Sequence, residues 1–372
     1  MTPLKRTNLL QFIYKIKCFL LLVLCPFAFA LPQSAWGQQG YQIGVYYFPG
    51  WAKNSPYWRD LRGLPGSRSP GRAWPDREPW LGFGYDDQSV AVARQQVAWA
   101  QKYGVDFFIY DWYWSQKGQT QLEGALRAYL QVPQRQLKFC LLWANHFEPP
   151  GPEIFRAAVR YWLDHFFKDS RYLTIGGKPV VFIFSPDNLA KGAKLSQTTV
   201  RTYLNEARTL AKQRGLPGIY FVACTQAIAS QVQAAQEAGY DALSAYNYHR
   251  GYAGTYQPGG LAESYAQLMS GYQESWQWLI SHSRLPYFVP LTAGWDRRPW
   301  GSQTPHDRCD STPASFAAML RLGKETVDRY PEKTQKILVI YAWNEFGEGG
   351  YIEPTKKWGF QYLEQIKQVF GR

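Results

Sequence analysis

Two carboxylates three residues apart close the most unusual stretch of this chain. Residues 337–353 read ILVIYAWNEFGEGGYIE: an apolar, β-branched run ends abruptly in Trp343, Asn344 and Glu345, and Glu348 follows. A buried strand that ends in acid carries a desolvation cost, and such costs concentrate at sites of chemistry. Carboxyl groups this close can divide acid and base roles when their surroundings push their pKa values apart. The same residues also fit a plain strand end followed by a solvated Glu-Gly turn, so the surrounding elements have to decide.

Eight β-like runs precede and include this one, at 42–48, 105–113, 137–144, 179–185, 219–225, 242–247, 288–295 and 336–346. Most are near-continuous in Val, Ile, Leu, Phe and Tyr, the pattern of parallel strands buried on both faces. Helical stripes lie between them. Val90, Ala93, Val97 and Ala100 share one face before a stop at Gly104, and Phe155, Val159, Trp162 and Phe166 share another. Thr312-Pro313 reads as an N-cap followed by proline at the first helical position. Strands alternating with helices predict an α/β fold, a (β/α)8 TIM barrel in a single domain over 41–372. A doubly wound open sheet is the alternative, but no Gly-rich nucleotide loop follows an early strand.

Catalytic groups of such barrels lie at the C-terminal ends of the strands. Those ends supply Tyr46, then Asp111 with Trp112, then Asn145 with His146, then Tyr248 with His249, then Trp295, and finally Asn344, Glu345 and Glu348. Aromatic faces stack on the C–H faces of sugar rings, and tyrosine and tryptophan add a polar handle, so this set reads as the lining of a carbohydrate cleft. Asp111 fits either a substrate contact or a hydrogen bond within the barrel rim, and His146 and His249 either sugar contacts or rim packing. Arg298 is expected to pair with Asp296. The connection 49–86 carries four tryptophans and no clear strand or helix pattern, so it is expected to wall the cleft or act as a lid.

The remaining composition is restrictive. Lys5, Arg6, Lys15 and Lys17 precede an uncharged run from Cys18 to Ala30 that ends Ala-Phe-Ala, the pattern of a secretory signal peptide over 1–30, with 31–40 as a short leading segment. The expected location is secreted or periplasmic, with membrane contact only if that segment stays uncleaved. Removing those four charges takes the net charge from +13 to +9, spread along the chain without basic runs, and no nucleic-acid motif is present. Cys140, Cys224 and Cys309 cannot all pair within one chain, which excludes a disulfide scaffold. No close His/Cys/Asp spacing suggests a metal, and no cofactor is expected. The expected partner is a polysaccharide or oligosaccharide, bound by a monomer.

Four segments together resemble a known family. YYFPGW at 46–51, LGFGYDD through YGVDFFIYDWYW at 81–114, LLWANHFEP at 141–149 and YAWNEFGEGGYIEP at 341–354 are similar, in order, to glycoside hydrolase family 99 and its family-99-like (WbsX-type) relatives. The last motif is the most specific. The resemblance implies a retaining endo-hydrolase of α-linked, mannan-like polysaccharide. It implies that Glu345 takes the proton of the substrate 2-hydroxyl and that Glu348 is the general acid/base at the glycosidic oxygen. The 2-oxygen would then attack C1 to give a 1,2-anhydro sugar that water opens, without an enzyme nucleophile. The characterised hydrolases usually carry Trp and His between the two acids, where this chain has Phe346 and Gly347. The run is also similar to that of family 71 α-1,3-glucanases, although Glu345 stands where Asp is more typical there. Two other classes stay open: a sugar-binding or polysaccharide-assembly protein on the same barrel, and an amidase or deacetylase, for which no nucleophile or metal constellation is found.

Overall fold

The computed structural model describes residues 40–134, 136–249 and 261–372. The expected signal peptide and leading segment therefore lie outside the described residues, Gly40 apart. Eight parallel strands form the centre: β1 (Gln42–Tyr47), β2 (Phe107–Trp114), β3 (Lys138–Trp143), β4 (Lys178–Ile183), β5 (Tyr220–Cys224), β6 (Ala242–Ser244), β7 (Val289–Thr292) and β8 (Ile337–Tyr341). Neighbours pair in that order, and β8 returns to β1, with Val45 opposite both Phe108 and Ile340. The ring closes between β6 and β7. Leu243 donates its amide to Pro286 O at 2.8 Å and accepts from Phe288 N at 2.9 Å. The structure is a (β/α)8 barrel, as the strand pattern predicts.

Each strand is followed by a helix: α1 (Val90–Lys102), α2 (Gly124–Leu130), α3 (Pro152–His165), α4 (Gln197–Gln213), α5 (Ala229–Ala238), α6 (Tyr265–His282), α7 (Pro313–Arg329) and α8 (Gln361–Phe370). Their apolar stripes face the sheet. On α3 the buried set is Phe155, Ala158, Val159, Trp162 and Leu163, at the spacing of one helical face. Helix α7 starts in a capping box between Thr312 and Ser315, with Pro313 at its first turn.

Side chains alternate across a strand, so one inward residue sets the parity of the rest. On β2 Asp111 points into the barrel and meets Tyr246, whereas Trp112 points outward and packs its ring 5.4 Å from Trp162 of α3. On β1 Tyr46 is inward, while Tyr47 reaches out to Gln96 of α1. Gly44 is inward where Phe107 fills the lumen: a β-carbon there would stand 2.2 Å from the Phe107 ring.

The connection 49–86 departs from its expected lack of pattern. It holds a helix, Pro56–Arg62, and a 3-10 turn, Pro75–Arg77. Ser55 caps the helix through its hydroxyl and Pro56 occupies the first turn, a start signal present in the sequence. The loop has its own apolar cluster, in which Trp51, Trp58, Leu61, Trp74 and Tyr85 pack with Phe48 and Phe346. It is a packed wall seated on the hairpin that carries the two acids. Three of the expected strand runs extend well past the strands themselves, β6 stopping at Ser244. Strand β7 stops at Thr292, and β8 stops at Tyr341, after which the chain leaves the barrel sheet.

Candidate active site

Beyond β8, Asn344–Glu345 pairs antiparallel with Gly350–Tyr351, which makes a small hairpin at the C-terminal mouth of the barrel. Glu348 lies in its turn and donates its amide to Glu345 O at 3.1 Å. The three glycines of the motif serve different needs. Gly349 has φ +78°, a left-handed conformation that glycine adopts without a steric penalty. A β-carbon on Gly347 would lie 2.2 Å from Trp300 Nε1, and one on Gly350 would lie 2.1 Å from the Tyr341 ring. The bare backbone at 350 thus lets Tyr341 slide beneath the hairpin and donate its hydroxyl to Glu348 Oε2 at 2.5 Å.

The hairpin is fixed from outside by a residue of the connection after β1, away from any strand end. Arg77, almost wholly buried, donates to Phe346 O at 2.6 Å and Asp296 O at 2.9 Å and pairs with the Asp296 carboxylate. Arg298 binds the same carboxylate at 2.6 Å, as expected. Asp296 in turn donates its amide to Glu348 O at 2.5 Å. The third acid of the stretch, Glu353, faces away from the cleft. Tyr85 and Gln96 hold its carboxyl, and burial pushes its pKa up to about 8.

Glu345 is 3% exposed and Asp111 4%, and the hydroxyl of Tyr246 lies between them, 2.9 Å from Glu345 Oε1 and 2.8 Å from Asp111 Oδ2. Burial pushes Glu345 upward, reinforced by the charges of Glu348 and Asp111 and opposed by the Tyr246 hydrogen bond. Burial likewise raises Asp111. Glu348 is raised to about 7 by burial, restrained by the Tyr341 hydrogen bond and by Arg297 and Arg68. A carboxyl that titrates near 7 can both give and take a proton at physiological pH. Among the described residues, no group of three or more His, Cys, Asp or Glu is arranged to hold a metal ion.

The candidates from the strand ends divide by where their side chains go. Trp112 is corrected: it is 1% exposed and stacks at 5.1 Å on Trp114, outside the barrel. Tyr248 is corrected too. It is buried against α6, donating its N–H to Tyr272 Oη at 3.0 Å, with its own hydroxyl 3.0 Å from that of Tyr287. The tyrosine that reaches the carboxylates is Tyr246, two residues earlier. Strand β6 ends at Ser244, so Tyr246 stays near the barrel axis while Tyr248 is four residues beyond the strand. Tyr46 is inward but wholly buried, and its hydroxyl donates to Ala245 O at 3.0 Å beneath the Tyr246 ring. Asn344 is spent on the backbone of Phe48, donating to its O and accepting from its N at 2.9 Å each. Asn145 clamps Ser185 in the same two-way manner at 2.8 Å. These two amides position loops.

His146, Trp295 and His249 pack among aromatic rings, with Trp295 buried. His146 is exposed among the rings of Phe147 and Phe184, at 4.1 and 4.8 Å, and Phe184 adjoins Tyr246 at 5.3 Å. His249 packs 4.0 Å from Trp295, and Trp295 lies 6.1 Å from Tyr341. A cavity of about 350 Å³ flanks the mouth beside β2 and β3, lined by Tyr113, Trp114, Trp143, Phe147 and Glu148 among others.

The family model described as glycosyltransferase WbsX matches residues 75–147 and 153–366, more than half of the chain and the whole hairpin. The chain belongs to the WbsX family. This WbsX-family chain is also 23% identical over 342 residues to the uncharacterised protein WxcX of Xanthomonas campestris pv. campestris, covering 87% of this chain and 47% of WxcX. It therefore spans about half the length of the curated relative it matches. Among solved structures, it resembles the GH99 endo-α-mannosidase of Bacteroides thetaiotaomicron, with TM-score 0.62 and 16% identity over 89% of this chain and 96% of that one. A structure described as a glycoside hydrolase-like protein gives TM-score 0.63 and 14% identity over 89% and 94% of the two chains. At these identities the WbsX-family chain shares the fold of those hydrolases.

Proposed function

We propose that this protein is an exported, retaining, endo-acting glycoside hydrolase of α-linked polysaccharide, mannan-like in the first instance. The observation that carries this reading is the Glu345/Glu348 pair, placed on one hairpin at the barrel mouth and held by different partners. Tyr246 turns toward Glu345, and Tyr341 with two arginines tempers Glu348. In the proposed mechanism Glu345 accepts the proton of the substrate 2-hydroxyl as the 2-oxygen closes on C1. Glu348, protonated at the start, gives its proton to the departing glycosidic oxygen. Water activated by Glu348 then opens the 1,2-anhydro sugar, and Glu345 returns its proton to the 2-oxygen. All atoms and charges balance without an enzyme nucleophile. The fold shared with an endo-α-mannosidase supports this reading.

Product analysis of the purified chain against α-mannans, α-glucans and host-type polysaccharide, with Glu348→Gln in parallel, tests it. Oligosaccharide release by the wild type alone is expected. A second reading is favoured by the family description itself: the same carboxyl pair would pass the sugar to a glycan hydroxyl in polysaccharide assembly. Chain lengthening only when an acceptor oligosaccharide is supplied, with no release into water, would select that reading.

A further inference from the structure

Tyr246 stands between two acids with a single proton to give. Its 2.8 Å and 2.9 Å contacts to Asp111 and Glu345 are both hydrogen-bond lengths, and a neutral phenol donates once. If both acids were ionised, a phenol lone pair would face a carboxylate oxygen in a water-poor interior. The titratable groups around Asp111 are Tyr46 of β1, Tyr113 of its own strand, Cys224 of β5, Tyr246 beyond β6, and Glu345 and Glu348 beyond β8. None of these is a cation. Among the described residues, the remaining oxygens, Asp111 Oδ1 and Glu345 Oε2, are buried without a hydrogen-bond partner. Two negative charges bridged only by one phenol would be costly there.

We infer that the cluster Asp111–Tyr246–Glu345 holds one proton beyond the phenol's own at neutral pH, and that this proton resides on Asp111. Asp111 then donates to Tyr246 and Tyr246 donates to Glu345, a chain with one direction. Asp111 is a positioning residue in this arrangement. It acts through Tyr246, and its neutral form lets Glu345 stay ionised with Oε2 left to take a substrate proton. The proton count rests on geometry alone. Its placement on Asp111 rests on the proposed base role of Glu345.

Infrared difference spectroscopy of the full chain tests both parts without any glycan, so a failure to find hydrolysis leaves the count untouched. Spectra of wild type and Asp111→Asn are compared on protein labelled with carboxyl carbon-13 aspartate or glutamate. The expected result is a protonated-carboxyl carbonyl band that is lost in Asp111→Asn and moves to lower frequency with aspartate labelling. A merely structural, ionised aspartate has no such band. Absence of any differing band overturns the count. A band that moves with labelled glutamate overturns the placement and, with it, Glu345 as resting base. Should Asp111→Asn fail to fold, Tyr246→Phe on labelled protein serves, since removing the acceptor must shift the same aspartate band. An unmoved band rejects the chain.

Discussion

The indole of Trp300 occupies the space in which a side chain at residue 347 would sit, 2.2 Å from a β-carbon built on Gly347. The ring is fixed in turn by Arg68, whose guanidinium lies 4.6 Å above it, and by Tyr57 at 6.0 Å. The glycine between the two acids and a tryptophan on the loop after β7 are therefore complementary. The sequence departure at 347 is matched by a ring from elsewhere. Gly347→Ala should force Trp300 aside and cost about 1–3 kcal/mol, the usual price of overpacking. In a Trp300→Ala background the same substitution should cost little. A double-mutant cycle by urea denaturation measures this, and additive costs would refute the relationship.

Glu345→Gln and Glu348→Gln should each lower activity by at least about 100-fold while leaving the far-UV circular dichroism unchanged, because proton transfer in the transition state is what each removes. Stability gives a second, substrate-free readout for Glu348. Its folded pKa of about 7 stands above the ordinary glutamate value, so the folded state binds the proton more tightly than the unfolded state. Stability of the wild type therefore falls as pH rises from about 4.5 through 7. Glu348→Gln, which cannot ionise, should match the wild type below that window and exceed it above, by up to about 3 kcal/mol. Denaturation midpoints at pH 4 and pH 8 are the measurement; a variant equally stable relative to wild type at both would show that burial does not raise this carboxyl.

The barrel was legible because parallel strands buried on both faces leave long apolar runs, and because Gly104 and Thr312-Pro313 mark helix ends. The acid pair was legible because charge at the end of such a run is conspicuous. Side-chain direction was less legible. Residue type alone does not say which way a side chain faces: Asp111 inward obliges Trp112 to face α3, and Tyr248, although of the same parity as Tyr246, lies four residues past the end of β6 and is carried against α6. Asn344 and Asn145 have the chemistry of sugar ligands, but their amides bridge backbone groups from segments far away in sequence. Arg77 was invisible for the same reason: its partners Asp296 and Phe346 lie more than 200 residues on.

Tyr341→Phe should move the pH dependence of activity in a defined direction. The Tyr341 hydroxyl donates to Glu348 Oε2 and so favours the ionised carboxylate. Its removal leaves burial less opposed and raises the Glu348 pKa further. The alkaline limb of the rate profile, where the acid loses its proton, should shift upward. A profile measured on any released oligosaccharide decides this; a shift toward lower pH would mean that Tyr341 acts on a different group.

Arg77→Met separates holding the hairpin from doing chemistry. Arg77 contacts neither Glu345 nor Glu348, but it binds Phe346 O between them and the carboxylate of Asp296, whose amide grips Glu348 O. Removing one partner of a buried ion pair leaves the other charge uncompensated, at a cost of about 3–5 kcal/mol. Arg298 still binds Asp296 at 2.6 Å, which places the expected loss at the lower end of that range. The hairpin should then loosen at 346–348, with amide hydrogen exchange faster there and unchanged in β1 to β5. Activity should fall through lowered kcat, since the acid is displaced from the glycosidic oxygen. Wild-type exchange at the hairpin in Arg77→Met would show that the Trp51–Trp58–Phe346 cluster alone holds the two acids in place.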